Sequence, residues 1–114
     1  IGGRPTYNIL IKRMESAIGL TAAADAGNVL LNWQNPKKCY GVKVVKKLGS
    51  QPINHTDGIT VFNQTTDTGL VLGQTQNVVD AESGSGQFFY RAFAYSSNGV
   101  YSVPVQSATC NITL

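Results

Sequence analysis

The residues that could do acid–base or metal chemistry are few in this chain and lie far apart along it. His55 is the single histidine and stands among turn-forming residues. Zinc sites and histidine-based catalytic triads need further ligands or partners held in place by ordered elements, so we expect His55 to be a solvated loop side chain. The carboxylates show neither the alternate-residue spacing of a calcium loop nor a recognisable catalytic pair. They are Glu15, Asp25, Asp57, Asp67, Asp80 and Glu82. We therefore predict no catalytic residue, no metal site and no cofactor.

Two further motif types carry no stronger signal. The run Ser83-Gly-Ser-Gly86 is followed by neither a lysine nor a helix start, so it indicates a turn and not a phosphate cradle. Asn-x-Thr triplets begin at Asn54, Asn63 and Asn111. A chain rich in Asn and Thr produces such triplets by chance, and chance is our interpretation of them.

Composition bounds the class of protein. The 114 residues suffice for one domain with its own core, and 42% are hydrophobic while only 13% are charged. Polarity comes from Asn, Gln, Thr and Ser, which is typical of extracellular or virion β proteins. The net charge of +3 is too small to indicate nucleic acid as a partner, and no apolar run approaches the length of a membrane span. The chain begins without Met, which favours a processed product or a piece of a longer polypeptide.

Five of the nine basic residues fall in one short segment. They are Lys37, Lys38, Lys43, Lys46 and Lys47. Lysines on a strand at the edge of a sheet discourage pairing with other chains, so we interpret the segment as a protected or simply solvated hairpin edge. Attraction of an anionic polymer is the alternative.

Short strands separated by turn residues dominate the pattern from residue 20 onward. Period-two alternation and turn signals every 8 to 12 residues or so predict an all-β, antiparallel two-sheet sandwich. The predicted strands are Leu20–Ala23, Asn28–Trp33, Tyr40–Leu48, Ile59–Phe62, Leu70–Leu72, Asn77–Val79, Gln87–Tyr95 and a last one from Val100 to about Leu114. Asn98-Gly99 is predicted to form a two-residue type I′ reversal before that last strand. In this arrangement Cys39 and Cys110 are too far apart to bridge, so we predict free thiols.

Alternation also predicts a contact surface. If Phe88 and Tyr90 face the core, the outward residues of the neighbouring strands form an aromatic and basic patch. The residues of this patch are Lys43, Val45, Lys47, Phe89, Arg91, Phe93 and Tyr95. Exposed aromatics of this kind are often a binding surface. Contact with the N-terminal arm, a neighbouring domain, a second subunit or a ligand all remain open, as does the opposite alternation.

The first 19 residues differ from the rest and are interpreted as an N-terminal arm or linker preceding a sandwich over residues 20–114. Apolar residues mixed with charged ones give this segment a partly helix-like spacing, compatible with a short helix, an added strand or a linker. The arm residues expected to make contacts are Ile9, Ile11, Met14 and Ile18.

The order of these elements resembles the fibronectin type III family over about residues 20–109. Val29–Trp33 followed by Asn35-Pro36 is similar to that family's second strand, and Gln87–Tyr95 to its aromatic sixth strand. Tyr40–Gly49, with Pro52 and the segment Thr56–Phe62 after it, resembles modules in bacteriophage tail and virion proteins and in some secreted bacterial proteins. The chain departs from the family at Phe88, where a corner tyrosine is usual, and it lacks the adhesive Arg-Gly-Asp tripeptide.

The resemblance implies a non-enzymatic structural or assembly module of a virion or surface protein, such as a phage tail or capsid appendage. Its expected partners are other protein subunits or neighbouring domains of the same assembly, and its expected location is the virion or the cell exterior. The alternative is an accessory module of a secreted bacterial or phage protein that binds a host-surface glycan or a cell surface, in which Tyr95, Tyr101 or Phe93 stack on sugar rings.

Overall fold

A computed structural model describes residues 16–81, 84–103 and 107–114, and these residues form a β-sandwich. Seven strands follow one another within these residues. They are β1 (Ile18–Asp25), β2 (Asn28–Gln34), β3 (Gly41–Leu48), β4 (Ile59–Thr65), β5 (Thr75–Asp80), β6 (Gln87–Tyr95) and β7 (Ala108–Thr113). The strands pair antiparallel in two sheets, one in the order β1-β2-β5 and the other in the order β4-β3-β6-β7. The predicted fold class is confirmed.

Strand β2 shows how the sequence places the core. Val29, Leu31 and Trp33 are buried, while Leu30 and Asn32 between them are exposed. Because successive side chains on a strand point to opposite faces, this alternation turns one face of β2 toward the second sheet. The Trp33 ring meets a ring of that sheet, Phe62, edge to face at 5.0 Å between centroids. The second sheet contributes a matching set of buried residues. They are Val42, Val44, Phe62, Phe88, Tyr90 and Ala92.

The tight two-residue reversal lies at a different place from the one predicted. Asp25 pairs with Asn28, and both residues between them have positive φ, 51° at Ala26 and 88° at Gly27. Positive φ at both central positions is the signature of a type I′ hairpin turn. The β1–β2 connection, predicted only as a turn, is therefore the tight hairpin.

The predicted type I′ turn at Asn98-Gly99 is wrong. Among the described non-glycine residues only Ala26 has a positive φ, so Asn98 does not. The Gly99 N–H instead donates to the Ser96 carbonyl over 2.9 Å, and the Ser96 N–H donates to the Val100 carbonyl, also over 2.9 Å. The chain thus reverses over the four residues 96–99, and the last of them, Gly99, has a left-handed φ of 82°. This wider turn leads only to an isolated bridge between Tyr95 and Tyr101, and the regular strand β7 starts at Ala108.

The strand predicted at Leu70–Leu72 is also absent. Leu70 is buried and Leu72 packs against the core, but both lie in the connection between β4 and β5. The buried Asn35 side chain holds this connection, because it donates to the Val71 carbonyl over 3.0 Å and accepts from the Trp33 indole N–H over 2.7 Å. Apolar residues near the core do not need a strand when a side-chain amide supplies the backbone partner.

The lysine-rich strand β3 is interior to its sheet, with β4 on one side and β6 on the other. Our interpretation of its lysines as guards of a sheet edge is therefore wrong. At the N-terminal side, β1 begins at Ile18, two residues before the predicted start of the sandwich, and Ala17 is buried in the core. Residues 1–15 lie outside the described residues.

Candidate contact surface

The outer face of the four-stranded sheet carries the side chains predicted to form a patch. In the β3–β6 ladder Lys43 pairs with Phe93, Val45 with Arg91, and Lys47 with Phe89. Directly paired residues of an antiparallel ladder share a face, and Val42 and Val44 on the opposite face are in the core. The predicted direction of alternation is therefore confirmed.

The exposure expected of this patch is wrong for three of its members. Val45, Phe93 and Tyr95 have exposed fractions of 0%, 1% and 9%, whereas Lys43, Lys47, Phe89 and Arg91 are half-buried. Side chains can be buried on an outer sheet face only if another part of the molecule lies on top of them. In this chain the covering part includes the β3–β4 connection, residues 49–58, which we call the covering loop.

Charged and backbone groups fasten the covering loop to the sheet. The Arg91 guanidinium donates to the Pro52 carbonyl over 2.8 Å, and Pro52 is buried. Lys47 forms an ion pair with Asp57 at 2.8 Å, and the same carboxylate accepts the Ile53 N–H over 2.8 Å. These bonds to Lys47 and Ile53 lower the pKa of Asp57 below its ordinary value. Two of the predicted patch residues, Arg91 and Lys47, therefore orient a loop of their own chain.

A cluster of rings occupies the end of this face near the start of β3. We call it the aromatic cluster, and its members are Tyr40, His55, Phe93, Tyr95 and Tyr101. His55 stacks on Tyr101 with 3.5 Å between ring centroids and 2° between ring planes. Tyr101 also meets Tyr95 at 4.7 Å, and Tyr95 meets Tyr40 edge to face at 6.3 Å. An edge-to-face pair such as Tyr40 with Tyr95 stabilises by about 0.5–1.5 kcal/mol beyond area burial.

The cluster alters the titration of its members. Burial lowers the pKa of His55, and the positive charge of Lys43 lowers it further. Among the described residues the buried His55 Nδ1 has no hydrogen-bond partner, so a proton there would gain no acceptor. Burial likewise raises the pKa of both Tyr95 and Tyr101. His55 lies in a loop as predicted, but it is half-buried and not solvated, because tertiary packing places it against Tyr101.

A second polar group, missed in the sequence, links the two sheets. Lys46 and Asp80 form an ion pair at 2.9 Å with side chains only 10% and 11% exposed. The Tyr90 hydroxyl donates to the same Asp80 oxygen over 2.7 Å. We call these three residues the inter-sheet tie, since Asp80 belongs to β5 while Lys46 and Tyr90 belong to β3 and β6. A signal for it existed: Lys46 follows Val42 and Val44 at a spacing of two, which puts it on the core face.

The predictions for the thiols and for the arm residues have simple outcomes. Cys39 and Cys110 are free thiols as predicted, and burial raises the pKa of Cys110 to about 11. Of the predicted arm contacts, Ile18 is 60% exposed at the start of β1, while Ile9, Ile11 and Met14 lie outside the described residues.

Within residues 16–81, 84–103 and 107–114, no three His, Cys, Asp or Glu side chains converge as metal ligands would. The same residues include no helix with the length and apolar character to cross a bilayer.

Comparison with known proteins gives a likeness in fold. No protein-family model and no curated protein matches the chain. Among solved structures, the chain is similar to the spore cortex lytic enzyme SleM of Clostridium perfringens, with a TM-score of 0.61 and 13% sequence identity. The match covers 89% of this chain and 28% of that protein, so the chain spans less than a third of its length. At this identity the likeness concerns the β-sandwich fold alone.

Proposed function

We propose that this chain is a non-enzymatic contact module, a rigid β-sandwich that holds neighbouring protein subunits or domains at a set spacing. The observation that carries the proposal is that side chains capable of acid–base chemistry bind other parts of the same chain. Lys46, Asp80 and Tyr90 bind each other across the two sheets, and Arg91 and Lys47 bind the covering loop.

Rigidity is the physical consequence of both sets of contacts. The inter-sheet tie joins strands of opposite sheets, so sliding of one sheet over the other would separate a nearly buried ion pair. Separating buried charges without replacing their partners is costly. The covering loop is fastened through a guanidinium, an ion pair and stacked rings, so a long connection behaves as part of the sheet. A module whose surface keeps its shape can hold its neighbours at a fixed distance from each other.

Glycan binding receives less support from the geometry. The rings expected to stack on sugars were Phe93, Tyr95 and Tyr101. The first two are buried, and Tyr101 already stacks on His55 and contacts Tyr95. A sugar would have to displace the covering loop to reach them. We therefore propose protein contact in preference to sugar binding.

The family and the setting are part of the same proposal. The division of seven strands into β1-β2-β5 and β4-β3-β6-β7, together with the motifs described above, supports the resemblance to fibronectin type III modules. Residence in a virion or at a cell surface stays a prediction based on that resemblance and on an amide- and hydroxyl-rich composition.

Cross-linking of the native assembly tests the proposal. Lys37 and Lys38 are exposed, and an amine-reactive cross-linker should join them to other polypeptides or domains of the particle. Screening of the purified chain against a glycan array should give no binding. Saturable binding to a glycan that is abolished by Tyr101→Ala, together with cross-links confined to this chain, would overturn the proposal in favour of sugar recognition.

A further inference from the structure

In the described part of the chain the two sheets have four edge strands, and these differ in how well they are protected. Edge strands expose backbone N–H and C=O groups to pairing with another chain, and proteins usually blunt them with charges, prolines, bulges or a covering element. None of these four strands contains a lysine or arginine, and the lysine-rich strand β3 is interior. The other devices therefore decide which edge is open.

Three of the edges are interrupted or flanked. In β1 the register with β2 shifts between Ile18 and Thr21, with Gly19 at φ 65°. In β4 the register with β3 skips Val61, because Val44 pairs with Phe62 and Val45 with Thr60. Bulges of this kind twist an edge and disrupt its pairing. Strand β7 has a regular ladder, but β1 packs alongside it.

Within the described residues strand β5 shows none of these features, since it has no bulge and no second strand packs alongside it as β1 does beside β7. All six of its residues pair with β2 without a register shift, from Thr75 opposite Gln34 to Asp80 opposite Val29. It has no proline and no basic residue. Its one charged residue, Asp80, points inward to the inter-sheet tie and is not available to repel an incoming strand.

We propose that β5 pairs antiparallel with β5 of a second copy of this chain, which joins the two three-stranded sheets into one sheet of the order β1-β2-β5-β5-β2-β1. The inference rests on the proposed contact function and specifies its partner and mode. Closed two-fold pairing of one surface with itself is the commonest form of oligomer.

Self-pairing suits β5 because the two symmetric registers centred on the middle of the strand, at Asn77 or at Val78, bring no charges together. Residues opposite each other in a ladder share a face of the sheet. A two-fold axis perpendicular to the sheet therefore passes midway between one residue and the same residue of the second copy, such as Asn77 and Asn77 or Val78 and Val78. With the axis at Asn77, Val79 lies opposite Thr75 of the second copy. With the axis at Val78, it lies opposite Asn77 of that copy. Asp80 lies opposite Gln74 or Gln76 of that copy and never opposite Asp80.

The outer face of the sheet adds an apolar contribution at the same place. Val79 is 55% exposed and pairs with Leu30, itself 40% exposed. A strand added at the β5 edge would lie beside Val79 and cover part of it. One strand pair is a small interface, below the roughly 1,200 Å² of standard complexes, and such interfaces belong to weak, transient encounters. We therefore expect a dissociation constant on the order of 100 µM.

A matched pair of double variants tests this edge specifically. Asn77→Lys/Val79→Lys places lysines on the outer face of β5, where they oppose each other in both registers. Thr21→Lys/Ala23→Lys places the same charges on the same face at the other edge, because Thr21 and Ala23 flank the β2 residues Asn32 and Leu30 from the β1 side. Sedimentation equilibrium of the full chain from about 10 µM to about 1 mM measures the masses.

The wild type and the β1 variant should approach twice the monomer mass at the highest concentration, and the β5 variant should dimerise at least tenfold more weakly. A wild type that stays monomeric to 1 mM would overturn self-pairing. The contact function would then be tested by the cross-linking experiment alone. Dimerisation of both variants like the wild type would also reject the β5 edge while supporting a contact role elsewhere. Hydrogen exchange of the wild type keeps the test independent of variant folding: β5 amides should exchange more slowly at 1 mM than at 10 µM, and equal rates would contradict the proposal.

Discussion

Replacing Lys46 by Met should destabilise the sandwich far more than the same replacement at the adjacent Lys47. Both lysines lie on β3 and both form an ion pair, at 2.9 Å with Asp80 and at 2.8 Å with Asp57. They differ in burial, because the Lys46 and Asp80 side chains are 10% and 11% exposed whereas those of Lys47 and Asp57 are 32% and 24% exposed. Met keeps the unbranched apolar stem of lysine, so each variant removes mainly the charge.

The magnitude follows from that difference in burial. Removing one partner of a buried ion pair costs about 3–5 kcal/mol, since the other charge is left without compensation. The Tyr90 hydroxyl still donates to Asp80 in the variant, which places our expectation near the lower value, about 3 kcal/mol. The half-buried Lys47–Asp57 pair is better solvated, so we expect Lys47→Met to cost about 1 kcal/mol, the upper end of the range for surface pairs. Against a total of about 5–15 kcal/mol for a domain, the first loss is severe and the second is minor.

Urea denaturation of the wild type and of both variants measures the two costs. For a domain of this size a loss of 3 kcal/mol lowers Tm by at least about 12 °C, so thermal unfolding gives an independent reading. The triple variant Lys46→Met/Asp80→Leu/Tyr90→Phe serves as control. Because it removes every polar member of the tie together, it should cost less than Lys46→Met alone. Equal costs below 1 kcal/mol for Lys46→Met and Lys47→Met would refute the reasoning, because the tie would then behave as a surface pair.

Three further predictions concern other parts of the sandwich. Because the pKa of His55 is lowered on folding, the unfolded chain binds the proton more readily, so stability should be complete above about pH 6.5 and fall as the pH drops below it; urea midpoints at pH 8 and pH 5 measure this, and His55→Gln should flatten the difference. Gly41→Ala should destabilise by about 1–3 kcal/mol, since an added Cβ would overlap the Tyr95 ring; urea unfolding measures the loss, and a cost near zero would contradict the close approach. Cys110, with its pKa at about 11, should react with a thiol reagent at pH 8 about a hundredfold more slowly than an ordinary cysteine, and labelling followed by mass spectrometry that finds it as fast as the unfolded chain would contradict its burial.

The fold could be predicted largely from alternation, as β2 and β3 illustrate. Val29, Leu31 and Trp33 recur every second residue, and so do Val42 and Val44. Burying such a stripe requires a second layer, so a two-sheet sandwich follows from local spacing. The turns were less predictable, because Asn-Gly is compatible with several reversals and the flanking strand pairing selects among them.

The candidate surface was predicted in its direction and not in its exposure. Alternation correctly put Phe93 and Tyr95 on the outer face of β6, since that depends only on the residues of one strand. Their burial depends on a loop that returns from elsewhere in the chain, and no periodicity reports where a loop will lie. His55 was misjudged for the same reason, because its stacking partner Tyr101 is 46 residues away in sequence.

The amino-acid sequence alone predicted that this protein is a β-sandwich, which side chains of β2, β3 and β6 face the core, and that its thiols are free. The tertiary structure alone decided which strands lie at an edge, which rings are covered, and that Lys46 meets Asp80 across the sheets. Side-chain direction is a local property of the backbone with a period of two. Edges, covers and ion pairs between sheets are set by contacts between residues distant in sequence, which form only when the whole chain has folded.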